Sequence, residues 1–230
     1  NDTENMSSYL RQLLEKTAYT NYEILLPARF ENQINIQNDR LRYVSTETRH
    51  GMIQAAKGEY VALLNAGLVP TKNDWLKELM NIGQQETSGL VTGRVVDARY
   101  RVETVGVSVD TDKGRLLYPE KGTPGKSLGY YYRIALPRNI QAATEDCLLF
   151  NKQLYLNLEG INESLGKEWM GVDLSLQFAS AGKRNVYVSY AILKADEKMQ
   201  NHDKKGSYKE LAEKWTAEAL VDPYRNPKHL

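Results

Sequence analysis

Lys57-Gly58-Glu59-Tyr60-Val61-Ala62-Leu63-Leu64-Asn65-Ala66-Gly67-Leu68-Val69-Pro70 decides how the rest of the chain is read. An apolar strand over 59–64 runs through a turn toward an amphipathic helix that starts near Trp75. Asn73 or Asp74 can cap that helix, and Trp75, Leu76, Leu79 and Met80 form its apolar face. A strand, a turn and a helix in this order are the unit of an α/β sheet. The turn itself carries Asn65, Ala66 and Gly67, with no carboxylate among them.

The same alternation extends both ways. Upstream, Met6, Leu10, Leu13 and Leu14 recur at helical spacing, with Thr3 and Asn5 as caps. Residues 22–26 read as a short buried strand ended by Pro27, 41–44 as a second strand, and 50–57 as a short helix. Downstream, 90–96 is a further strand, and the whole argues for a largely parallel sheet. From about 97 to 139 the composition shifts to Gly, Lys, Arg and Tyr, including Lys121-Gly122-Thr123-Pro124-Gly125 and Tyr130-Tyr131-Tyr132. Such a stretch reads as hairpins and long loops across one end of a sheet. The three tyrosines suit either core packing or an exposed contact surface. Regular structure resumes with a strand over 147–150, apolar positions at Leu154, Tyr155 and Leu158, a helix over 172–181 closed by Gly182, and a strand over 186–190. A capping box over 207–210 opens a last helix bearing Leu211 and Trp215, and 221–230 follows as an extended tail. Trp75, Trp169 and Trp215 read as core residues.

Composition narrows the function. The chain has 230 residues, 41% hydrophobic and 26% charged, enough for one well-buried core. A formal net charge of +1 supplies no field toward nucleic acid. No apolar run approaches the roughly 18 residues of a transmembrane segment. A single cysteine, Cys147, leaves no internal disulfide, and His50, His202 and His229 have no zinc-ligand spacing.

Taken in order, Leu14-Glu15-Lys16-Thr17, Asn21-Tyr22-Glu23-Ile24, Ala56-Lys57-Gly58-Glu59-Tyr60, Leu63-Leu64-Asn65, Pro70, Asp74-Trp75-Leu76, Gly106-Val107, Cys147-Leu148-Leu149-Phe150, Leu158-Glu159-Gly160-Ile161-Asn162-Glu163, Val172-Asp173-Leu174-Ser175-Leu176, Gly182 and Asp222-Pro223-Tyr224 with Asn226-Pro227 form one pattern. The pattern resembles the family-two glycosyltransferases, in particular bacterial enzymes that build rhamnan-type and other surface polysaccharides. The resemblance implies a GT-A, Rossmann-like α/β fold over residues 1–230, with a mainly parallel central sheet flanked by helices and a mixed or antiparallel extension. In the family a buried parallel strand precedes the first helix, and Asn1 matches the residue just after it. The resemblance therefore implies a fragment of a larger protein that lacks the family's first strand.

The family's functional residues do not carry over. Its metal motif, which serves Mg²⁺ or Mn²⁺ with a nucleotide sugar, falls on Asn65-Ala66-Gly67, with Gly67 at the usual Asp. A diphosphate leaving group needs its charge neutralised by a cation held on carboxylates. The general base falls on Gly171, preceded by Met170, and neither can accept a proton. The acids that bind the base of the nucleotide are replaced by Pro27-Ala28-Arg29, and the late histidine by about Lys194. Asp173 survives, with capping or orientation of its helix as its ordinary role. Glu145 and Asp146 stand near the acceptor site as either a replacement acidic cluster or a solvated loop pair. Arg49 and His50 fall near the nucleotide pocket, and Trp169 near the acceptor cleft. The expectation is a cytoplasmic pseudoenzyme domain, peripheral at the inner face of the membrane, with neither metal nor cofactor of its own. It would support other domains of its polypeptide, form a homodimer or hold a glycan acceptor. The rival expectation is an active, metal-independent transferase using Arg49, Lys194 or Lys198 on the diphosphate.

Overall fold

The computed structural model describes residues 2–195 and 208–225. In chain order, α1 (Asp2–Glu15) leads to β1 (Ile24–Pro27), β2 (Leu41–Val44), α2 (Arg49–Ala55), β3 (Tyr60–Leu64), β4 (Leu68–Pro70), α3 (Trp75–Gly83) and β5 (Ser88–Val96). The middle of the chain supplies β6 (Val102–Thr104), β7 (Ser108–Asp110), β8 (Arg115–Leu117) and β9 (Arg138–Ile140). Then come β10 (Cys147–Asn151), α4 (Lys152–Leu156), α5 (Gly166–Ser180), β11 (Arg184–Ala195), α6 (Tyr208–Lys214) and α7 (Ala217–Leu220).

The central sheet has seven strands in the order β3-β10-β5-β11-β4, with β6 added to β5 and β9 to β11. All nine residues of β5 are buried, as a strand covered on both faces requires. β5 and β11 run parallel, whereas β10 runs antiparallel to both β3 and β5. The α/β class stands, yet most joints of the sheet are antiparallel, because β10 runs against both of its neighbours and β4, β6 and β9 also pair antiparallel. Side chains alternate across it. Val91, Val95, Leu149 and Leu193 meet α1 and α3 on one face. Leu90, Leu148, Phe150 and Tyr187 meet Ile53, Tyr155, Leu174 and Phe178 on the other. The outer side of α5 packs in turn on β7, α6 and α7 through Leu165, Val172, Leu176, Leu211 and Leu220. With partners on both sides, α5 is buried from Trp169 to Phe178 and shows no polar face.

Several boundaries differ from the sequence reading. α1 begins at Asp2, so Thr3 and Asn5 lie inside it rather than capping it. Asp74 precedes α3 but makes no side-chain cap; Trp75 is instead fixed by its indole N–H, which donates to Thr17 Oγ1 at 3.0 Å. Residues 222–225 form a turn, not an extended tail. Asp222 accepts from the Tyr224 amide, and its other oxygen accepts from the Ser108 hydroxyl. Lys198, His202, Ser207 of the capping box, His229 and the Asn226-Pro227 pair lie outside the described residues.

One departure is larger. β1 and β2 form a parallel pair of their own, with Leu25 opposite Arg42, and no ladder joins them to β3. A cleft of about 1090 Å³ lies between, with Leu25 and Leu26 on one side, Val61 and Leu63 on the other, and Leu10 of α1 beside them. Both β1 and β3 are apolar throughout, the composition of strands covered on every side. Yet Ala62 is exposed, and Val61 and Leu63 are only half-buried. The starts of the two strands stay together through Glu23, which accepts from Arg42 Nε at 2.8 Å and from the Lys57 amide.

An edge without a ladder leaves its backbone groups to water. Amides of β1 and β3 that face the cleft should therefore exchange with solvent much faster than amides of β5 and β11, which pair on both edges. Hydrogen-exchange mass spectrometry gives the answer, and equal protection across the four strands would contradict the split sheet.

Candidate functional site

The upper end of β3 is where the candidate residues meet. Asn65 follows the strand, and the Leu68 amide bonds back to its carbonyl at 3.1 Å, closing a four-residue turn. Gly67 is the third residue of that turn at φ 98°, a backbone setting that glycine adopts without strain and L side chains rarely do. The turn, not only the composition, disfavours a carboxylate there.

β10 starts beside this turn. The Asn65 amide donates to the Asp146 carbonyl at 2.9 Å, and Asn65 Nδ2 lies 3.5 Å from Asp146 Oδ1. Thr144 Oγ1 donates to the second Asp146 oxygen at 2.6 Å. Glu145 is buried, contrary to the solvated-loop reading, and receives Arg49 Nη2 at 3.0 Å. Arg49 is held from the other side by Glu163, whose carboxylate accepts the Arg49 amide at 2.8 Å. Burial pushes the Glu145 carboxyl above its ordinary range, while Arg49 and Lys167 pull it back only in part. Tyr118 adds its ring nearby; burial raises its hydroxyl, and Glu168 and Asp146 raise it further. Glu163 belongs to the 158–163 stretch of the sequence pattern with no role assigned to it there, and Lys167 and Tyr118 carry no motif, so sequence reasoning missed all three at this site.

His50, next to Arg49, does not reach into this cluster. Its Nδ1 sits 2.9 Å from the Tyr155 hydroxyl, which also accepts the Ile161 amide at 3.2 Å. His50 is thus engaged with Tyr155 and not with the cluster of Arg49 and Glu145. Trp169 lies in the core against Tyr208, with ring centroids 6.1 Å apart. Lys194 is exposed on β11 opposite Val69, and Arg29 pairs with Glu47.

Gly171 has a physical reason to be glycine. A Cβ there would stand 2.6 Å from the Ala143 carbonyl oxygen and 2.7 Å from the Glu145 nitrogen, both backbone atoms. α5 thus lies directly on the segment that delivers Glu145 and Asp146. Asp173 is neither a cap nor open to the cleft: it sits in mid-helix, fully buried. It accepts from Gln177 Nε2 at 2.8 Å and Trp215 Nε1 at 2.7 Å, and pairs with Lys214 Nζ at 2.9 Å. Lys214 also pairs with Glu159 at 2.8 Å. Burial pulls the Lys214 ammonium down, but hydrogen bonds to Glu159 and Asp173 outweigh it and leave it raised. Among the described residues no three His, Cys, Asp or Glu side chains converge as a metal site.

No family model matches the chain. An uncharacterized protein of Sinorhizobium fredii, y4gI, is 26% identical over 211 residues, which cover 86% of this chain and 23% of that protein. Among solved structures, GalNAc-T7 with UDP, GalNAc and Mn²⁺ aligns over 86% of this chain and 42% of its own, with a TM-score of 0.59 and 14% identity. The mannosyltransferase PcManGT from Pyrobaculum calidifontis, in complex with GDP-Man and Mn²⁺, aligns over 89% and 55%, with a TM-score of 0.55 and 13% identity. The chain therefore has a GT-A-like glycosyltransferase fold, and it spans less than a quarter of the curated relative and about half of these solved chains.

Two outcomes follow from this geometry. Glu145 holds its proton more tightly when folded than an ordinary carboxylate does, so above about pH 4.5 the folded state binds more protons than the unfolded one. Stability should fall over that interval until the raised folded value is passed, then level off. Glu145→Gln should flatten the fall in urea titrations run at successive pH values; an unchanged slope would exclude Glu145 as its source. At Gly171 even a methyl group must displace backbone. Gly171→Ala should lose about 1–3 kcal/mol, and Gly171→Asp more, because it also buries a carboxylate. Melting temperatures as high as wild type in both would show that the contact is not tight.

Proposed function

We propose that this is a glycosyltransferase-like domain of a bacterial polysaccharide-assembly protein that no longer catalyses transfer. In this reading it descends from the family-two enzymes and supports other domains of its own polypeptide by packing, by dimerisation or by holding an acceptor glycan. The observation that carries the reading is the backbone contact at Gly171. The position that the resemblance assigns to the general base has no room for any side chain. The metal position is likewise a turn glycine at positive φ. A base and a cation must be held together in productive geometry for transfer to occur; a side chain at 171 would displace backbone, and one at 67 would strain it.

The rival reading, a transferase that neutralises the diphosphate with basic residues, draws little support from Arg49. Its guanidinium already bridges Glu145 and Glu163, so its charge is spent inside the protein. Asp146 likewise already accepts from Thr144 at 2.6 Å and lies 3.5 Å from Asn65 Nδ2.

The same proposal covers the domain organisation. A strand supplied by a longer polypeptide, parallel to β1 and β3, would occupy the cleft between them. The exchange measurement on that longer polypeptide would then show the cleft-facing amides protected.

The test of function is direct. UDP-sugars and GDP-sugars, each with Mn²⁺ or Mg²⁺, should leave the melting temperature unchanged, and calorimetry should show no micromolar isotherm, a level that corresponds to roughly −8 kcal/mol. A clear metal-dependent shift, with turnover abolished by Glu145→Gln or Asp146→Asn, would establish an active enzyme with a relocated acidic site.

A further inference from the structure

Five of the nine large hydrophobic side chains exposed among the described residues sit in one loop: Leu128, Tyr130, Tyr131, Tyr132 and Leu136. They are displayed by a scaffold that leaves them no inward alternative. Ile134, in the same loop, is fully buried. Arg94 reaches up from β5, itself buried, and donates to the Gly125 and Ile134 carbonyls at 2.6 Å each. The Tyr187 hydroxyl donates to the Ile134 carbonyl at 2.8 Å. Gly129, at φ 73°, lies so close against Ile134 that a Cβ would approach within 2.7 Å. The loop is therefore pinned from below, and its backbone is strained. Tyr131 sits at φ 47°, ψ 44° and Tyr132 at φ 61°, two successive bulky residues in the left-handed region. Strain of this kind persists where the surroundings impose it, and it marks segments kept for a function.

The charge around these side chains has one sign. No Asp or Glu occurs between Glu120 and Glu145, whereas Lys121, Lys126, Arg133 and Arg138 all do, in a chain that carries 29 acids against 30 bases. Lys121 pairs with Glu103, and Arg138 donates to the Val105 carbonyl. Glu120 is occupied by the Tyr130 amide. Arg133 lies 5.8 Å from the centre of the Tyr130 ring and Lys126 is exposed in the same loop, neither with an ion pair among the described residues.

We propose that this loop docks the protein on the surface of a bilayer that contains anionic lipid. Tyrosine rings are apolar in body and polar at the tip, and they settle at headgroup depth. Leu128 and Leu136 would bury below them, while Lys126 and Arg133 meet lipid phosphates. Glycan binding suits the loop less well. Sugar sites set amide or carboxylate side chains beside the stacking ring to take the hydroxyls, and the exposed residues of 126–137 include no Asp, Asn, Glu or Gln. A second copy suits it no better, because a two-fold contact would bring like charges together. The surface does not depend on whether the domain is catalytic.

Vesicle flotation tests the proposal, with phosphatidylcholine alone and with phosphatidylglycerol added. The protein should float with the anionic vesicles, dissociate as salt rises and ignore the neutral ones. Lys126→Gln should weaken partitioning about fivefold, the equivalent of ~1 kcal/mol per basic side chain at an anionic surface. Tyr131→Asn with Tyr132→Asn should abolish it while leaving the melting temperature unchanged or higher, because asparagine tolerates left-handed backbone better than tyrosine. Equal binding to neutral vesicles, no binding at all, or variants that partition as wild type would overturn the proposal. Retention on immobilised oligosaccharide that the tyrosine variant loses, without vesicle binding, would overturn it in favour of a glycan platform.

Discussion

The upper end of the molecule depends on how closely α5 can approach residues 141–146. Gly171 removes the side chain that would hold them apart, and buried hydrogen bonds then lock the seam. Ser175 Oγ donates to the Gly171 carbonyl at 2.7 Å and accepts from the Ala143 amide at 3.1 Å. Asn185 of β11 donates to the Gln141 and Ser175 carbonyls and accepts from the Leu90 amide. Gln141 in turn accepts from the Val109 amide and donates to the Leu220 carbonyl. A buried polar group costs about 1–3 kcal/mol when left unpaired, so these side chains fix one arrangement of sheet, helix and C-terminal layer. Glu145 and Asp146 arrive beside Asn65 as a consequence.

The seam also explains the fate of Asp173. Because α5 has protein on both sides, a carboxylate in its middle cannot face water and must be neutralised from within. Lys214 and Trp215 supply that, which ties α6 to α5 by a charge rather than by apolar contact alone. Removing one partner of such a buried pair leaves the other uncompensated, at a cost of about 3–5 kcal/mol. The Asp173 carboxylate is thus committed to architecture.

Local signals in the sequence read well where one element decides its own form. β2 matches residue for residue, β3 and β10 fall within about two residues, and α3 starts at Trp75 as read, because apolar periodicity and turn residues act over short distances. The site was half legible. The absence of carboxylates from Asn65-Ala66-Gly67 is plain in the sequence, as is the glycine at 171. Why glycine stands there is not, since the reason lies in backbone atoms of Ala143 and Glu145, which are brought up by the fold. The same holds for Glu145, which the sequence leaves between an acidic cluster and a solvated loop, and which is buried because α5 and Arg49 cover it. The aromatic run at 130–132 was undecided between core and surface for a parallel reason. Its outward display is set by Arg94 and Ile134, neither of which sequence spacing connects to it.

The cleft beside β3 and the cluster at its upper end are one surface, because Asn65, Glu145 and Lys167 line the same space as Leu25 and Val61. β3 is held on one edge by β10 and on the other by nothing in the described residues except the contacts at its start around Glu23. The turn at Asn65–Leu68 inherits its position from that strand. Chemistry at a strand end requires the end to be fixed to a fraction of an ångström, and a strand anchored along one edge fixes it less well than a strand paired along both. Order in the cleft and geometry at the cluster are therefore coupled: whatever pairs with the open edge of β3 also sets the distance between Asn65 and the residues that follow β1.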